Sequence, residues 1–338
     1  MPLLTHRVEM TQLENLAAAP SIEERFFYHS FPRRGRDTAA EIDKGCMVLS
    51  LMRDAGLLLT PEIVEWQYPH ADASPPRIER ILQRRVCFTE LAPRELPSHA
   101  REFGHFSLEF KVDIIRQLGG MPVFYVPRPD KAAGTTLEDL GSILVIQLMD
   151  ARNLANHIAH LMNIFDTQQL PEHYIGNPSN QGQFTLNVAE AKKTLQAVMH
   201  GITPPSMLAG GINGILNLFY PADDLHHNQA LAYYRQREWR VTGNLALHGK
   251  NIMRSPEQNE IAELQNIDAD FFGKELNAPL GKVPLLNECL VYPRFGGKRM
   301  MELVNRVIVP AQAVENAKAI LKEINQPPSV VSLESLIM

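Results

Sequence analysis

Cysteine is scarce in this chain of 338 residues: Cys46, Cys87 and Cys289 are the only three, far apart and in no CxxC or metal-ligand spacing. An odd, scattered set gives neither a disulfide framework nor a zinc site, and a reducing cytoplasm is the expected compartment. Charge of one sign is lacking as well. With 33 Lys and Arg against 38 Asp and Glu the formal net charge is -5, so the overall balance does not predict tight, sequence-independent binding to nucleic acid. Long uncharged apolar runs are also missing. The most apolar region, Leu137 to Phe165, is interrupted by Glu138, Asp139, Asp150 and Arg152, and its longest uncharged piece falls far short of the roughly 20 residues a spanning helix needs. It reads as a buried helix, and no membrane association is expected. Residues Met1 to Arg7 lack the apolar core of a signal peptide and are followed by Glu9 and Glu14, so export is not expected.

Several chemistries lack their motifs. No GxGxxG follows a strand, and neither GxxxxGK[ST] nor HExxH occurs. The run Gly210-Gly211-Ile212-Asn213-Gly214 lies inside an apolar helical pattern and reads as helix packing, not a phosphate cradle. His157, His160, His173, His226 and His227 come without the carboxylate or cysteine spacing of a metal centre, so no metal is expected.

What is present is an ordinary globular composition, 45% hydrophobic and 21% charged. Short aromatic and β-branched runs predict strands near residues 26–31, 85–90, 106–110, 121–126, 237–242 and 304–309. Between the first two, Ile42, Cys46, Leu49 and Met52 recur at helical steps after a capping Asp37, and Gly56 closes that helix. Leu57 to Pro61 leads out of it, and the polar, proline-containing stretch from Tyr68 to Arg77 reads as a surface loop. From about 136 to 220 the pattern turns helical. The expected architecture is a single α+β domain over residues 1–338, with a central sheet, a helical insertion at 136–220 and a flexible tail from 326 to 338.

The chain is organised around Tyr233-Tyr234-Arg235-Gln236-Arg237-Glu238-Trp239-Arg240-Val241, where a charged helix end runs into an alternating segment. On a strand, Glu238 and Arg240 would share one side and Arg237, Trp239 and Val241 the other. A carboxylate between two arginines stays ionised at neutral pH, as suits a group that holds a hydroxyl or steadies a developing positive charge. The competing reading is a surface ladder of ion pairs.

Tyr28-His29-Ser30, Val86-Cys87-Phe88-Thr89-Glu90-Leu91, Gly104-His105-Phe106, Gly119-Gly120-Met121-Pro122-Val123-Phe124-Tyr125-Val126 and Tyr234 to Val241 resemble, in this order, the AbiGi-type abortive-infection phage-resistance family. The similarity spans most of the chain outside the helical insertion. More remotely, the same order resembles DarT-like ADP-ribosyltransferases, which modify DNA. That resemblance implies an ADP-ribosyltransferase-like split sheet with NAD bound in a cleft between the His29 strand and the Glu238 strand. It implies Glu238 as the catalytic glutamate, His29 as the holder of the adenosine ribose, and an arginine near Arg84 or Arg85 against phosphate.

Each assignment has a plainer alternative. His29 could be a half-buried histidine with a hydrogen-bonded ring. Tyr28, Phe88, Phe124 and Tyr125 could stack on nicotinamide or adenine, or fill the core. Ser30 and Thr89 could contact ribose or amide, or be polar strand positions. Glu90 reads as a strand-end charge. Arg33, Arg34, Arg36, Arg84 and Arg85 could form a phosphate-binding rim or solvated loop charge. Two functions follow: an NAD-dependent toxic effector acting on DNA or RNA, held in check by a neutralising partner, or a non-catalytic antitoxin or regulator on the same fold.

Overall fold

The computed structural model describes residues 25–32, 38–68, 77–127, 139–167, 172–176, 184–222, 237–243, 246–247, 250–278 and 281–336. In chain order, strand β1 (Phe26–Phe31) leads to helix α1 (Thr38–Ala55), then to the hairpin of β2 (Leu57–Tyr68) and β3 (Arg77–Leu91). A short helix α2 (Leu96–Phe103), strand β4 (Phe106–Lys111), helix α3 (Val112–Gln117) and the short strands β5 (Met121–Pro122) and β6 (Phe124–Pro127) follow. Next come helix α4 (Asp139–Thr167), a small hairpin of β7 (His173–Gly176) and β8 (Phe184–Asn187), helices α5 (Val188–Met199) and α6 (Pro205–Leu216), and strand β9 (Phe219–Ala222). After β10 (Glu238–Thr242) the chain adds strands Leu290–Tyr292, Arg306–Val309 and Ser329–Ser332, and helices Gln258–Ile267 and Val314–Leu321.

The fold is α+β around a mixed sheet of nine strands. Its order runs Leu290–Tyr292, β2, β3, β1, β4, Arg306–Val309 and Ser329–Ser332, with β10 also on β3 and β5 on β10. All these pairs are antiparallel except the last, in which Ser329–Ser332 runs parallel to Arg306–Val309. One face is apolar because alternate positions of four strands carry large side chains. Phe27, Phe88, Phe106 and Phe110, each 0% exposed, pack there with Val241 and Val307 against Leu49 of α1 and Leu321 of the last helix. Burying each phenylalanine contributes roughly 2–3 kcal/mol.

The β2–β3 hairpin departs from expectation. The segment leaving α1 continues as a strand to Tyr68, and β3 begins at Arg77, eight residues before the predicted 85. Charge and Pro61 hide this pair, although Val64, Trp66 and Ile81 alternate inward to a second cluster with Val145, Ile146 and Met149 of α4. The predicted 121–126 strand is broken at Val123: β5 pairs with β10, while β6 pairs in parallel with β9. The tail is ordered from Ser329 to Ser332 as an edge strand, because Val330 and Val331 extend the sheet beside Val307 and Ile308 and Leu333 is buried behind them. Asp37, Arg33, Arg34, Arg36 and the segment Tyr233 to Gln236 lie outside the described residues. Among the described residues no helix is long and apolar enough to cross a membrane.

Candidate functional site

The face of the sheet opposite the apolar core is polar around β3 and β10. On β3, Gln83, Arg85, Cys87 and Thr89 fall at every second position and so point the same way. Strand β10 places Glu238 opposite Thr89, Arg240 opposite Cys87 and Thr242 opposite Arg85, while β2 places Glu62 opposite Gln83. Directly paired residues share a face. The alternation of polar side chains in three strands therefore gathers them in one cluster.

Arg240, only 2% exposed, is the centre of this cluster. Its Nε donates to Glu238 Oε1 at 2.8 Å and a terminal nitrogen donates to Gln83 Oε1 at 3.2 Å. Arg85 donates to the same Gln83 oxygen at 2.7 Å and forms an ion pair with Glu62. Both guanidiniums lie over the ring of Tyr220, 4.8 Å from its centroid for Arg240 and 5.2 Å for Arg85. The Tyr220 hydroxyl donates to Glu62 at 3.1 Å, and the Tyr125 hydroxyl donates to Glu238 Oε2 at 2.5 Å. Gln83 donates through its amide nitrogen to the carbonyls of Leu216 and Phe219 at 3.1 and 3.0 Å. The paired strands β6 and β9, which carry the two tyrosines, thus tie the helical unit to the polar face.

Burial alone would raise the Glu238 carboxyl. The Arg240 charge and hydrogen bonds from Cys87, Tyr125 and Arg240 outweigh it, so the group stays ionised below the usual range. The same surroundings keep the phenol of Tyr125 protonated, through burial first and the Glu238 charge second. Burial, with Glu238 adding to it, pushes the Cys87 thiol up to about 11. A thiol so protonated is no nucleophile at neutral pH.

The structure therefore brings Glu238, Tyr125, Arg85 and Thr89 to one face. No family model, curated protein or solved structure matches this chain. Tyr28 and Ser30 lie on the same face but one strand further on, and both are engaged there. The Tyr28 hydroxyl donates to Glu109 at 2.8 Å, a carboxylate 0% exposed that Arg306 also clamps at 2.7 and 2.6 Å. Ser30 Oγ lies 2.9 Å from Ser107 Oγ and 3.4 Å from His99 Nδ1.

Three expected site residues are elsewhere. His29 is one step from Tyr28 along β1 and so faces the apolar side, where its ring lies 5.9 Å from Phe31 and 5.8 Å from Phe88. Its Nδ1 donates to the Cys87 carbonyl at 2.9 Å, and burial lowers its pKa. Strand β3 separates His29 from Glu238, and the two side chains point to opposite faces, so no cleft lies between them. Phe88 is a core residue, 0% exposed, and Arg84 turns away to pair with Glu288. Glu238 has Arg240 for a partner but not Arg237. That residue, with φ 45°, forks onto Glu95 at 3.0 and 2.9 Å. Glu90 pairs with Arg25 at 3.0 Å, as a strand-end charge does.

Sequence reading missed Glu62, Gln83, Cys87, Tyr220 and His99. The polar alternation Gln83, Arg85, Cys87, Thr89 was the available signal for two of them; Glu62 was hidden behind Pro61. His99, on α2, reaches Thr89 Oγ1 with Nε2 at 3.0 Å and stacks on Phe103 at 4.3 Å. An apolar recess lined by Leu51, Met52, Leu264 and Phe272 among others contains no residue of this cluster. Among the described residues no group of His, Cys, Asp and Glu is arranged to hold a metal ion.

Proposed function

We propose that this chain is an NAD-dependent ADP-ribosyltransferase acting as a toxic effector in phage defence, with DNA or RNA as acceptor and Glu238 as the catalytic carboxylate. The proposal includes an ADP-ribosyltransferase-like arrangement of the sheet. The observation that carries it is the ionised Glu238 carboxylate, fixed by Arg240 and Tyr125 on a polar sheet face. In such a reaction the bond between the ribose carbon and the nicotinamide nitrogen breaks, and nicotinamide leaves with the electron pair. An acceptor nitrogen or oxygen attacks the same carbon and gives its proton to solvent. The intermediate stage has oxocarbenium character, and a fixed carboxylate beside the sugar offsets its positive charge. Arg85 supplies the phosphate-binding charge of this reading. His29 has no part in it.

A second reading has its own observation. Both Glu238 oxygens already accept hydrogen bonds, Oε1 from Arg240 and Oε2 from Tyr125, as in a structural ion pair of an antitoxin or regulator. Incubation of adenine-labelled NAD with single-stranded DNA, RNA and protein separates the two. The transferase gives covalent label on one acceptor, and this label is lost in Glu238→Gln and reduced in Tyr125→Phe. No label and no NAD binding by the folded wild-type protein, freed of any partner, would leave the binding reading.

A further inference from the structure

We propose that His99 is a positioning residue of the Glu238 site, holding the Thr89 hydroxyl as a ligand-binding group beside the carboxylate. The inference rests on the transferase reading, and the ligand it concerns is NAD. Thr89 stands directly opposite Glu238 across β3 and β10, which sets their Cβ atoms about 4.5–5.5 Å apart, within reach of one small ligand group. The imidazole of His99 spans two hydroxyls, Thr89 Oγ1 at 3.0 Å from Nε2 and Ser30 Oγ at 3.4 Å from Nδ1, and Ser30 in turn meets Ser107 at 2.9 Å. Burial pushes His99 down to about 4, so the ring is neutral, with one N–H and one lone pair.

A chain with a neutral imidazole in the middle has a direction. With the proton on Nε2, His99 donates to Thr89, and the threonine O–H is left to donate to a ligand. With the proton on Nδ1, Thr89 donates to His99 and keeps lone pairs for a ligand donor. In either case the imidazole restricts the rotation of a hydroxyl that stands across the strand pair from the Glu238 carboxylate, on which the Tyr125 hydroxyl already sits. The ring itself is pinned by its stack on Phe103, 22° from parallel. Strand β3 ends at Leu91 and α2 begins at Leu96, so the short connection returns the helix over the polar face. That turn brings a histidine ten positions on from Thr89 back against it.

NAD binding to the full-length protein, measured calorimetrically for Thr89→Val, His99→Phe, His99→Gln and the double variant Thr89→Val/His99→Phe, tests this. Thr89→Val and His99→Phe are each expected to weaken NAD binding about tenfold or more. The double variant should bind no worse than the weaker single one, because one residue acts through the other. His99→Gln, which keeps a polar group near Nε2, should recover most of the affinity while all the proteins keep their melting midpoints. Additive losses, or an affinity left within about twofold by both single substitutions, would overturn the inference and leave the transferase reading standing. If the folded wild-type protein binds no NAD at all, both fall. Should His99→Phe fold poorly, His99→Asn, whose amide is too short to reach Thr89 Oγ1, takes its place in the same comparison and carries the same expected loss.

Discussion

At the residue scale the decisive fact is that Glu238 is the counter-ion of the buried Arg240. Replacing it by glutamine removes the charge that compensates a guanidinium only 2% exposed, and the cost of breaking such a buried pair is roughly 3–5 kcal/mol. A Glu238→Gln protein should therefore unfold at clearly lower urea than wild type, as a circular-dichroism titration would record. In that variant activity is expected to fall through the weakened fold as well as through the missing carboxylate. Tyr125→Phe separates the two effects, since it removes one charge-assisted hydrogen bond and keeps the ion pair. It should cost about 1.5–3 kcal/mol in the same titration. An unchanged midpoint would mean that water replaces the phenol without loss. The sequence made Glu238 legible because Arg-Glu-Trp-Arg alternates like a strand. It misled about Arg237, whose positive φ swings its side chain to Glu95, and local sequence carries no sign of that turn.

At the scale of elements, legibility followed how local the cause was. Helix α1 was readable because Ile42, Cys46, Leu49 and Met52 mark its buried side and Gly56 ends it at φ 114°, a conformation that suits glycine. A Cβ at Gly56 would also stand 2.3 Å from the Tyr292 carbonyl oxygen. Gly56→Ala should thus destabilise the protein by about 2 kcal/mol or more, visible as a lowered urea midpoint with an unchanged slope. The edge strand Ser329–Ser332 was not readable, because Ser-Val-Val-Ser after two prolines gains its structure only from its pairing with Arg306–Val309. A chain ended at Asn325 loses that pairing and the burial of Leu333, and should melt below the full-length protein; equal melting temperatures would show that the pairing adds no stability. His29 shows the limit of pattern reading from the other side. Its strand was placed correctly, and yet which face it presents depends on register with β3, which is a long-range property.

For the whole molecule, the buried histidines fix the response to acid. The pKa of His99 is lowered from 6.5 to about 4 and that of His29 is lowered as well, so between these values the unfolded chain binds protons that the folded one does not. Stability is then fully present above pH 6.5 and falls as pH drops toward 4, by up to about 3 kcal/mol for His99 alone. Glu238, Glu260 and Asp268, all held below their ordinary values, add a further loss at still lower pH, as each carboxylate is protonated more readily in the unfolded state. Urea midpoints followed from pH 8 to pH 4 should begin to drop near 6.5. In His99→Gln the early part of that drop should shrink, and an identical profile in the variant would assign it elsewhere.

The charges around Tyr220 have a consequence for arrival of a ligand. Glu62 and Glu238 carry two negative charges, Arg85 and Arg240 two positive ones, and all four are confined to one cluster. Their sum is zero, so beyond about 8–10 Å in physiological salt their joint potential has faded into that of a small multipole. An ion drifting past this face is not steered by the quartet. The quartet should therefore add nothing to the ionic-strength dependence of a charged ligand's association rate, which is left to the net charge of -5 on the whole chain.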